Sequence, residues 1–347
     1  MDKIKLSIVC LAYNHKAFIR KALDSIIMQK TNFPYEVIIH DDASTDGTAD
    51  IIREYEKKYP NIIKPIYQTE NQWSIGKNIG REIVFPQVRG EYVLSCESDD
   101  YFTDENKLQK QIDFLDTHPD YSICFHPVTV KYEDKTQPDE VFPSNNLLKE
   151  LGEISFDSLL RCNFMQTNSV VYRWRFHKDS LSLLPDYILP GDWFLHLLHA
   201  QVGKIGFLPD IMSVYRKHQG GVWSQVGISD QHYINNGLVY LNFIYKVKEQ
   251  FGYLNESSAN DFAQKTLFAF LKYKDFNQLK LFSEWFPETY INTVNVISDQ
   301  IEVNKKAELK KRHRQNKWRK LCGRIVKQYK TTYYFLYIPV LKIKNRR

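Results

Sequence analysis

The 347-residue sequence lacks the features of membrane-spanning, secreted and disulfide-rich proteins. No apolar run reaches the roughly 20 residues that a membrane-spanning helix needs, and the nearest, at 333–341, is short and contains a proline. The N-terminus enters a predicted strand without the layout of a signal peptide. Five scattered cysteines include no C-x-x-C pair, which argues against a zinc or redox motif and predicts a reduced, cytoplasmic setting.

Two phosphate-binding motifs are also missing. No G-x-G-x-x-G follows the first predicted strand, and no G-x-x-x-x-G-K-[ST] occurs in the chain. In both motifs the glycines let the backbone approach a diphosphate closely. Their absence argues against dinucleotide binding and P-loop binding.

The net charge of +6 is distributed unevenly. Residues 305–347 contain sixteen Lys and Arg against one acid, Glu308, so this tail carries +15 and residues 1–304 carry −9. The tail also contains Trp318 and four aromatic residues between 333 and 337. Basic segments with aromatic residues suit an anionic membrane surface, and we expect the tail to bind one. A solvated tail is the alternative, and no nucleic-acid motif accompanies the charge.

Strand-like apolar runs alternate with helical patterns through the first hundred residues. The predicted strands are 5–11, 35–42, 61–68 and 89–100, and the predicted helices are 16–29 and one capped by Ser44 or Thr45. This alternation is typical of an α/β fold with a parallel sheet built from right-handed βαβ units. In such sheets ligands bind at the carboxyl ends of the strands.

The later sequence is less regular. The predicted elements are a helix ending before Pro119, strands at 121–130 and 165–173, a long loop at 131–150, a helix at 189–203, two short strands within 204–217, and long helices from 228 to 320. We expect the last helices to pack on the α/β body. A binding or dimer surface is the alternative.

Acidic residues lie where the predicted strands end: Asp41, Asp42, Glu97, Asp99 and Asp100. The last three fall within four positions of "LSCESDDYF" and repel one another, so this segment predicts a bound cation. Mg²⁺ and Mn²⁺ take a few carboxylates and keep positions for phosphate oxygens. The alternative is that Asp99 and Asp100 cap the helix near residue 104.

Four residues have two interpretations each. Asp42 is a ligand for a base or ribose, or a turn carboxylate bonded to backbone amides. Asp192, near the start of the helix at 189–203, is a general base or an N-cap. His218 meets a metal or phosphate, or is structural. Lys77 lies near a diphosphate, or is simply exposed.

Taken in order, these segments resemble a known family. They are "SIVCLAYNHKAFIRKALDSIIMQ", "YEVIIHDDASTDGT", "ENQWSIGKNIG", "GEYVLSCESDD" and "GDWFLHLLHAQVGKIGFLPDIMSVYRKHQGGVWS". Over about residues 4–225 the chain resembles the inverting glycosyltransferases of family 2, which have the GT-A fold, and in particular bacterial members that build surface polysaccharides.

The resemblance implies how a nucleotide-sugar donor is bound. Ala12 and Tyr13 match backbone and ring contacts to the nucleotide base. Asp42 matches the acid that contacts the base, and Lys77 matches a basic position near the nucleotide.

The resemblance also implies a metal site. "ESDD" matches the family's D-x-D segment, so Glu97, Ser98 and Asp99 would contact the donor. Asp99, Asp100 and His218 would hold Mn²⁺ or Mg²⁺ on its diphosphate. This chain has Glu97 where the family commonly has Asp, which leaves open whether Glu97 or Asp100 joins Asp99 at the metal.

Asp192 matches the catalytic base. The implied reaction transfers a sugar, most commonly from a UDP-sugar, to a hydroxyl of a saccharide or lipid-linked acceptor. The implied domains are a GT-A domain at 1–225 (a nucleotide-binding half to residue 118, then an acceptor half), a helical extension at 226–304 and the basic tail at 305–347. We expect a cytoplasmic protein held at the inner face of the cell membrane, without a nucleic-acid partner; oligomerisation is left open.

Two other functions remain as alternatives. A nucleotidyltransferase uses a related α/β sheet, but it usually carries a glycine-rich, basic loop where this chain has "AYNHKAF". A non-catalytic sugar- or nucleotide-binding module would not need Asp42, Asp99, Asp100 and Asp192 together.

Overall fold

The computed structural model describes residues 3–135, 137–176, 178–185, 188–218 and 230–322. The chain divides into two compact units, one of residues 1–290 and one that begins at Ile291. The described residues of the second unit all belong to one long helix.

Eleven strands occur among the described residues. They are β1 (Leu6–Ala12), β2 (Tyr35–Asp41), β3 (Ile63–Tyr67), β4 (Tyr92–Ser95), β5 (Tyr101–Phe102), β6 (Tyr121–Phe125), β7 (Val128–Tyr132), β8 (Glu140–Phe142), β9 (Val171–Arg173), β10 (Lys204–Phe207) and β11 (Ser213–Lys217).

Ten α-helices occur in the same described ranges. They are α1 (Ile19–Ile27), α2 (Thr48–Lys58), α3 (Lys107–Thr117), α4 (Asn145–Leu151), α5 (Phe156–Arg161), α6 (Gly191–Ala200), α7 (Asp230–Phe251), α8 (Glu256–Tyr273), α9 (Phe276–Trp285) and α10 (Pro287–Cys322). Within this part of the chain, none of the helices has both the length and the hydropathy needed to cross a bilayer.

The main sheet has seven strands in the order β10-β6-β9-β4-β1-β2-β3. Strand β9 is antiparallel to both of its neighbours, and the other pairs are parallel. The central strand β1 is buried along nearly its whole length, which is what a strand covered by helices on both faces requires. The expected mainly parallel α/β sheet is therefore confirmed.

The core lies on both faces of this sheet. On one face, Ile8 and Cys10 of β1 pack with the apolar side of α1, which includes Leu23 and Ile26. On the other face, Val9 of β1 belongs to a cluster that extends to α6 and α7. The alternation of β1 side chains between the two clusters follows from the two-residue period of a strand.

A second, four-stranded sheet has the order β5-β11-β7-β8. Val214 of β11 pairs with Tyr101 of β5, directly after the acidic segment of β4. Strand β11 therefore delivers its C-terminal residue, Lys217, and the following His218 beside the carboxyl end of the main sheet.

The structure corrects three predictions about elements. The apolar run at 121–130 is two strands in different sheets, because "HP" at 126–127 interrupts it between β6 and β7. The predicted loop at 131–150 contains β8 and α4. In the predicted strand at 165–173 only β9 is extended, because a 3-10 turn at Thr167–Ser169 precedes it.

Helix α2 begins later than predicted. Neither Ser44 nor Thr45 caps it; the N-cap position is Gly47, with φ at +95°, a value that glycine adopts without strain. Asp46 lies before the helix and accepts hydrogen bonds from the backbone and hydroxyl of Thr48.

The predicted C-terminal helices are present as α7 to α10. Helix α7 packs on α6 through aromatic contacts. The ring centroid of Phe243 lies 4.8 Å from Trp193 and 6.4 Å from Phe194, and Phe251 lies 5.5 Å from Phe194. Helices α7 to α9 belong to the same compact unit as the sheet.

Candidate active site

The carboxyl ends of β1, β2 and β4 meet at one edge of the main sheet, and backbone hydrogen bonds tie them together. The amide of Asp42 donates to the carbonyl of Ala12 at 2.9 Å, and the amide of Ser98 donates to the carbonyl of Leu11 at 3.1 Å. The exposed ring of Tyr13 follows at the same edge. This arrangement is where ligands bind in α/β sheets.

Three potential metal ligands converge at this edge: His15, Asp99 and His218. One ligand atom from each lies within 4.8 Å of the other two. The Nε2 atom of His218 is 3.0 Å from Asp99 Oδ2, and the Nε2 atom of His15 is 3.9 Å from the same oxygen. We call these three residues the His-Asp-His cluster.

Neighbouring groups orient the two imidazoles. Nδ1 of His15 lies 2.6 Å from Oγ of Ser98, so the hydroxyl fixes the ring with Nε2 toward Asp99. The ring of Phe18 packs against His218 with centroids 4.5 Å apart. Such outer contacts commonly orient metal-binding histidines.

The protonation states in the cluster suit metal binding. Burial lowers the pKa of His15, which favours the neutral imidazole that a metal requires. Burial opposes ionisation of Asp99, but its hydrogen bond with His218 and the charges of both histidines hold its pKa below the usual value. The donor set of two imidazole nitrogens and one carboxylate therefore fits a divalent ion. It suits Mn²⁺ better than Mg²⁺, which prefers oxygen ligands.

The structure does not bring Asp100 into this cluster. Its side chain is buried, and its two oxygens accept hydrogen bonds from the backbone amide of Arg216 at 2.8 Å and from Nδ2 of Asn168 at 2.9 Å. Burial and the charge of Asp99 raise its pKa well above the usual value. Asp100 and Asp99 also do not cap α3, whose N-cap is Asn106.

Glu97 lies close enough to two other acids for their charges to act on it. Burial, Asp99 and Asp192 raise the pKa of Glu97 to about 8. The same acids, together with Asp100, act on the hydroxyl of Tyr215 in β11, whose pKa is raised chiefly by burial. The charges of Asp192 and of Asp99 therefore act on the same two groups, Glu97 and Tyr215.

Asp192 lies in the first turn of α6, as predicted, but it does not cap that helix, whose N-cap is Pro190. Its Oδ2 accepts a hydrogen bond from the hydroxyl of Thr167 at 3.1 Å. The capping alternative is thus wrong, and the carboxylate is held by a side chain from another element.

Asp42 is almost fully buried and anchors the loop at 71–77. Its two oxygens accept hydrogen bonds from the backbone amides of Gln72, at 2.7 Å, and Trp73, at 3.1 Å. A carboxylate has about four acceptor positions, so the two oxygens retain the capacity to accept from a further donor. Lys77 closes the same loop, and its ammonium pairs with Glu82 at 2.9 Å on the surface.

Three residues at this edge were missed from the sequence. No sequence pattern marks His15, although its place three residues after the end of β1 puts it at the ligand-binding edge. Tyr215 and Tyr240 carried no motif. Burial and then the charge of Asp192 raise the pKa of Tyr240, on α7, to about 12.

Comparison with known proteins agrees with this geometry. Residues 7–173 match the model of glycosyl transferase family 2. This part of the chain, just under half of its length, is similar to the glycosyltransferases of family 2. The match begins in β1 and ends with β9, so it includes the acidic edge and Asp42 but stops before α6.

Two relatives show how far the similarity extends. An uncharacterised protein of Mycobacterium tuberculosis is 47% identical over 218 residues, which are 63% of this chain and 60% of that protein. The chain therefore spans about three fifths of that relative's length. A poly(ribitol-phosphate) β-glucosyltransferase of Bacillus spizizenii is 39% identical over 107 residues, which are 30% of this chain and 16% of that enzyme.

One solved structure shares the fold over most of the chain. It is a mannosyltransferase of Pyrobaculum calidifontis in complex with GDP-mannose and Mn²⁺, with a TM-score of 0.51 and 14% identity, covering 84% of this chain and 86% of that one. At this identity the likeness concerns the fold, and it confirms the expected GT-A architecture.

Proposed function

We propose that this protein is an inverting glycosyltransferase that moves a sugar from a nucleotide-diphosphate sugar, with UDP as the favoured nucleotide, to a hydroxyl of a saccharide or lipid-linked acceptor. One arrangement carries the proposal: two neighbouring residues of one turn donate hydrogen bonds, Thr167 to Asp192 at 3.1 Å and Asn168 to Asp100 at 2.9 Å. Asp100 adjoins the candidate metal ligand Asp99 in the chain, so the turn links the candidate base to the candidate metal ligands, and a transfer between two bound substrates requires such groups to be held together.

The nucleotide is assigned to the ends of β1 and β2. Tyr13 offers an exposed ring for the base, and Ala12 offers backbone at the same place. Asp42, whose loop also holds Lys77, offers its remaining acceptor positions to the base. The ammonium of Lys77 pairs with Glu82 in this structure. We therefore propose that Lys77 leaves Glu82 and approaches the diphosphate when the donor binds.

The diphosphate is assigned to the His-Asp-His cluster. His15, Asp99 and His218 would hold Mn²⁺, which would supply positive charge where the leaving diphosphate gains negative charge. Ser98 keeps His15 in its orientation, and Glu97 lies beside the sugar. The buried carboxyl of Asp100 holds β11 in place by accepting a hydrogen bond from the backbone amide of Arg216.

Asp192 is assigned as the general base. Its carboxylate accepts the proton of the acceptor hydroxyl, which then attacks the anomeric carbon from the face opposite the diphosphate, so the configuration inverts. A positioned base contributes about 10²–10⁴-fold in rate. Tyr215 and Tyr240, whose pKa values are raised by burial and by charges that include Asp192, are assigned to the acceptor side.

We also propose a role in bacterial surface polysaccharide synthesis at the inner face of the membrane. The support is the poly(ribitol-phosphate) β-glucosyltransferase of Bacillus spizizenii, whose name gives a polymer of ribitol phosphate as its acceptor, and the basic charge of residues 305–347. Within that tail, residues 305–322 belong to α10, and 323–347 lie outside the described residues.

The reaction is tested by nucleoside diphosphate release. Purified protein is incubated with UDP-glucose, UDP-N-acetylglucosamine or GDP-mannose, with and without Mn²⁺, and with saccharide acceptors. Release of UDP or GDP that needs Mn²⁺ supports the proposal. Release of pyrophosphate would instead indicate a nucleotidyltransferase, and donor binding without turnover would indicate a binding module.

The membrane role is tested by sedimentation with vesicles. Full-length protein and a variant ending at residue 304 are mixed with vesicles of pure phosphatidylcholine or with added phosphatidylglycerol. Because each basic residue near an anionic surface contributes about 1 kcal/mol, only the full-length protein should sediment with the anionic vesicles. Equal sedimentation of the two forms would refute the role of the tail.

A further inference from the structure

A single 3-10 turn, Thr167–Ser169, contacts two of the acids at the site. The hydroxyl of Thr167 donates to Oδ2 of Asp192 at 3.1 Å, and Nδ2 of Asn168 donates to Oδ2 of Asp100 at 2.9 Å. The two donors are neighbours in the chain, whereas the two acids lie 92 positions apart on different elements. The turn therefore connects the base to the edge that carries the His-Asp-His cluster.

The turn itself is firmly held. Asn168 is fully buried; its Nδ2 also donates to the carbonyl of Val214 at 3.0 Å, and its Oδ1 accepts from Ser213 at 2.9 Å. The carbonyl of Ser169 accepts from Gln111 at 2.8 Å. A turn anchored to β11 and α3 in this way can fix the side chains that it carries.

Further contacts connect Asp100 to the edge of the main sheet that carries the His-Asp-His cluster, which we call the metal edge. The other oxygen of Asp100 accepts from the backbone amide of Arg216, and the guanidinium of Arg216 donates to the carbonyl of Asp99 at 2.6 Å. His218 follows Arg216 by two residues. The position of His218 relative to Asp99 thus depends on the chain of contacts that begins at Asn168.

We propose that this turn sets the distance between the base and the metal edge, with Thr167 as the positioning residue of Asp192 and Asn168 as the positioning residue of the His-Asp-His cluster. This inference rests on the proposed transferase function. The hydroxyl of Thr167 occupies one carboxylate oxygen and holds the carboxylate in one orientation, which leaves the other oxygen for the acceptor proton. Misplacement of a catalytic group by about 1 Å can lower the rate about 100-fold.

The test compares Thr167→Val, which keeps the shape but removes the hydroxyl, with Thr167→Ser, which keeps the hydroxyl, and with Asn168→Ala. Turnover is measured as release of UDP or GDP from the donor that the wild type uses. Affinity for UDP in the presence of Mn²⁺ is measured by calorimetry, and thermal midpoints verify that each variant is folded.

We expect Thr167→Val to lower turnover about 10- to 100-fold while the Mn²⁺-dependent affinity for UDP stays within about twofold. Thr167→Ser should restore most of the turnover. Asn168→Ala should instead weaken the Mn²⁺-dependent affinity for UDP about tenfold, the usual size of an effect exerted through a ligand's supporting contacts.

Three results would overturn the inference: normal turnover in Thr167→Val, equal loss in the Val and Ser variants, or a parallel loss of turnover and UDP affinity in Thr167→Val. If Asn168→Ala does not fold, the two Thr167 variants still decide the role of the hydroxyl. A wild-type protein that releases no nucleoside diphosphate from any donor would refute the proposed function itself, and this inference with it.

Discussion

The two sides of the site are built in different ways. On the nucleotide side, the ends of β1, β2 and β4 are joined by backbone hydrogen bonds such as that from Asp42 to Ala12. On the base side, Asp192 is held by the side chain of Thr167, and α6 is covered by aromatic contacts from α7. Strand register fixes the first side, whereas individual side chains fix the second. Single substitutions should therefore separate the two sides: nucleotide-side changes should alter binding, and base-side changes should alter turnover.

The largest separation is expected for Asp192→Asn. The amide keeps the size of the side chain but cannot take the acceptor proton, so turnover should fall about 10²–10⁴-fold while donor affinity is retained. Turnover and calorimetric affinity for UDP with Mn²⁺ measure the two quantities. Asp157→Asn is the matched control, because Asp157 also lies in the first turn of a helix but is exposed. Normal turnover in Asp192→Asn would exclude Asp192 as the base.

The opposite separation is expected for His15→Ala. Removal of one imidazole from the His-Asp-His cluster should weaken Mn²⁺-dependent binding of UDP by at least about tenfold, in the range that changes around metal ligands usually produce. Ser98→Ala should have a smaller effect in the same direction, because it removes only the contact that orients His15. Exposed His118 provides the control variant, His118→Ala. If Mn²⁺ raised the affinity for UDP equally in His15→Ala and in the wild type, His15 would not be a metal ligand.

The sequence predicted the nucleotide side better than the base side, and the reason is physical. Apolar runs and their acidic ends mark β1, β2 and β4 locally, so the acidic edge follows from the fold rule for parallel sheets. His15 was missed because its role depends on Ser98 and Asp99, more than 80 positions away, and a lone histidine in a turn carries no pattern. Thr167 and Tyr240 were missed for the same reason.

Two errors in the predicted elements also have a physical explanation. The run at 121–130 looks continuous in its apolar pattern, but His126 and Pro127 divide it between two sheets. Helix α2 starts after Gly47, which has a positive φ. Glycine adopts this φ more readily than serine or threonine does, so the N-cap is Gly47 and not Ser44 or Thr45. Chain direction at such points is decided by tertiary contacts, which hydrophobic periodicity does not encode.

A buried lysine beneath the nucleotide side allows a test of stability. Lys107 is fully buried; its ammonium lies 4.4 Å from the ring centroid of Phe102 and donates to Gln111 at 2.7 Å. Burial lowers its pKa to about 7. Between pH 7 and about 10 the unfolded chain therefore binds one more proton at this position, so this residue makes the free energy of unfolding rise by about 1.4 kcal/mol per pH unit.

Lys107→Met should be more stable than the wild type at pH 7, and the difference should shrink as the pH rises toward 10, because only the wild type gains stability over this range. Urea unfolding at pH 7, 8.5 and 10 measures the difference, and exposed Lys57→Met on α2 provides the control. A stability difference that stays constant over this range would show that Lys107 is charged in the folded protein.

The smallest effect is expected at Tyr240, on the base side. Burial and then the charge of Asp192 raise the pKa of Tyr240 to about 12, and its ring packs on Phe262 with centroids 4.9 Å apart. Tyr240→Phe keeps that packing and removes the hydroxyl. Because a single hydrogen bond contributes about 0.5–1.5 kcal/mol, transfer to a saccharide acceptor should fall a few-fold, and UDP affinity should not change. Tyr245→Phe, another tyrosine on the same helix, is the control. A loss of UDP affinity in Tyr240→Phe would show that α7 acts on nucleotide binding. It would contradict the expectation that base-side substitutions change only turnover.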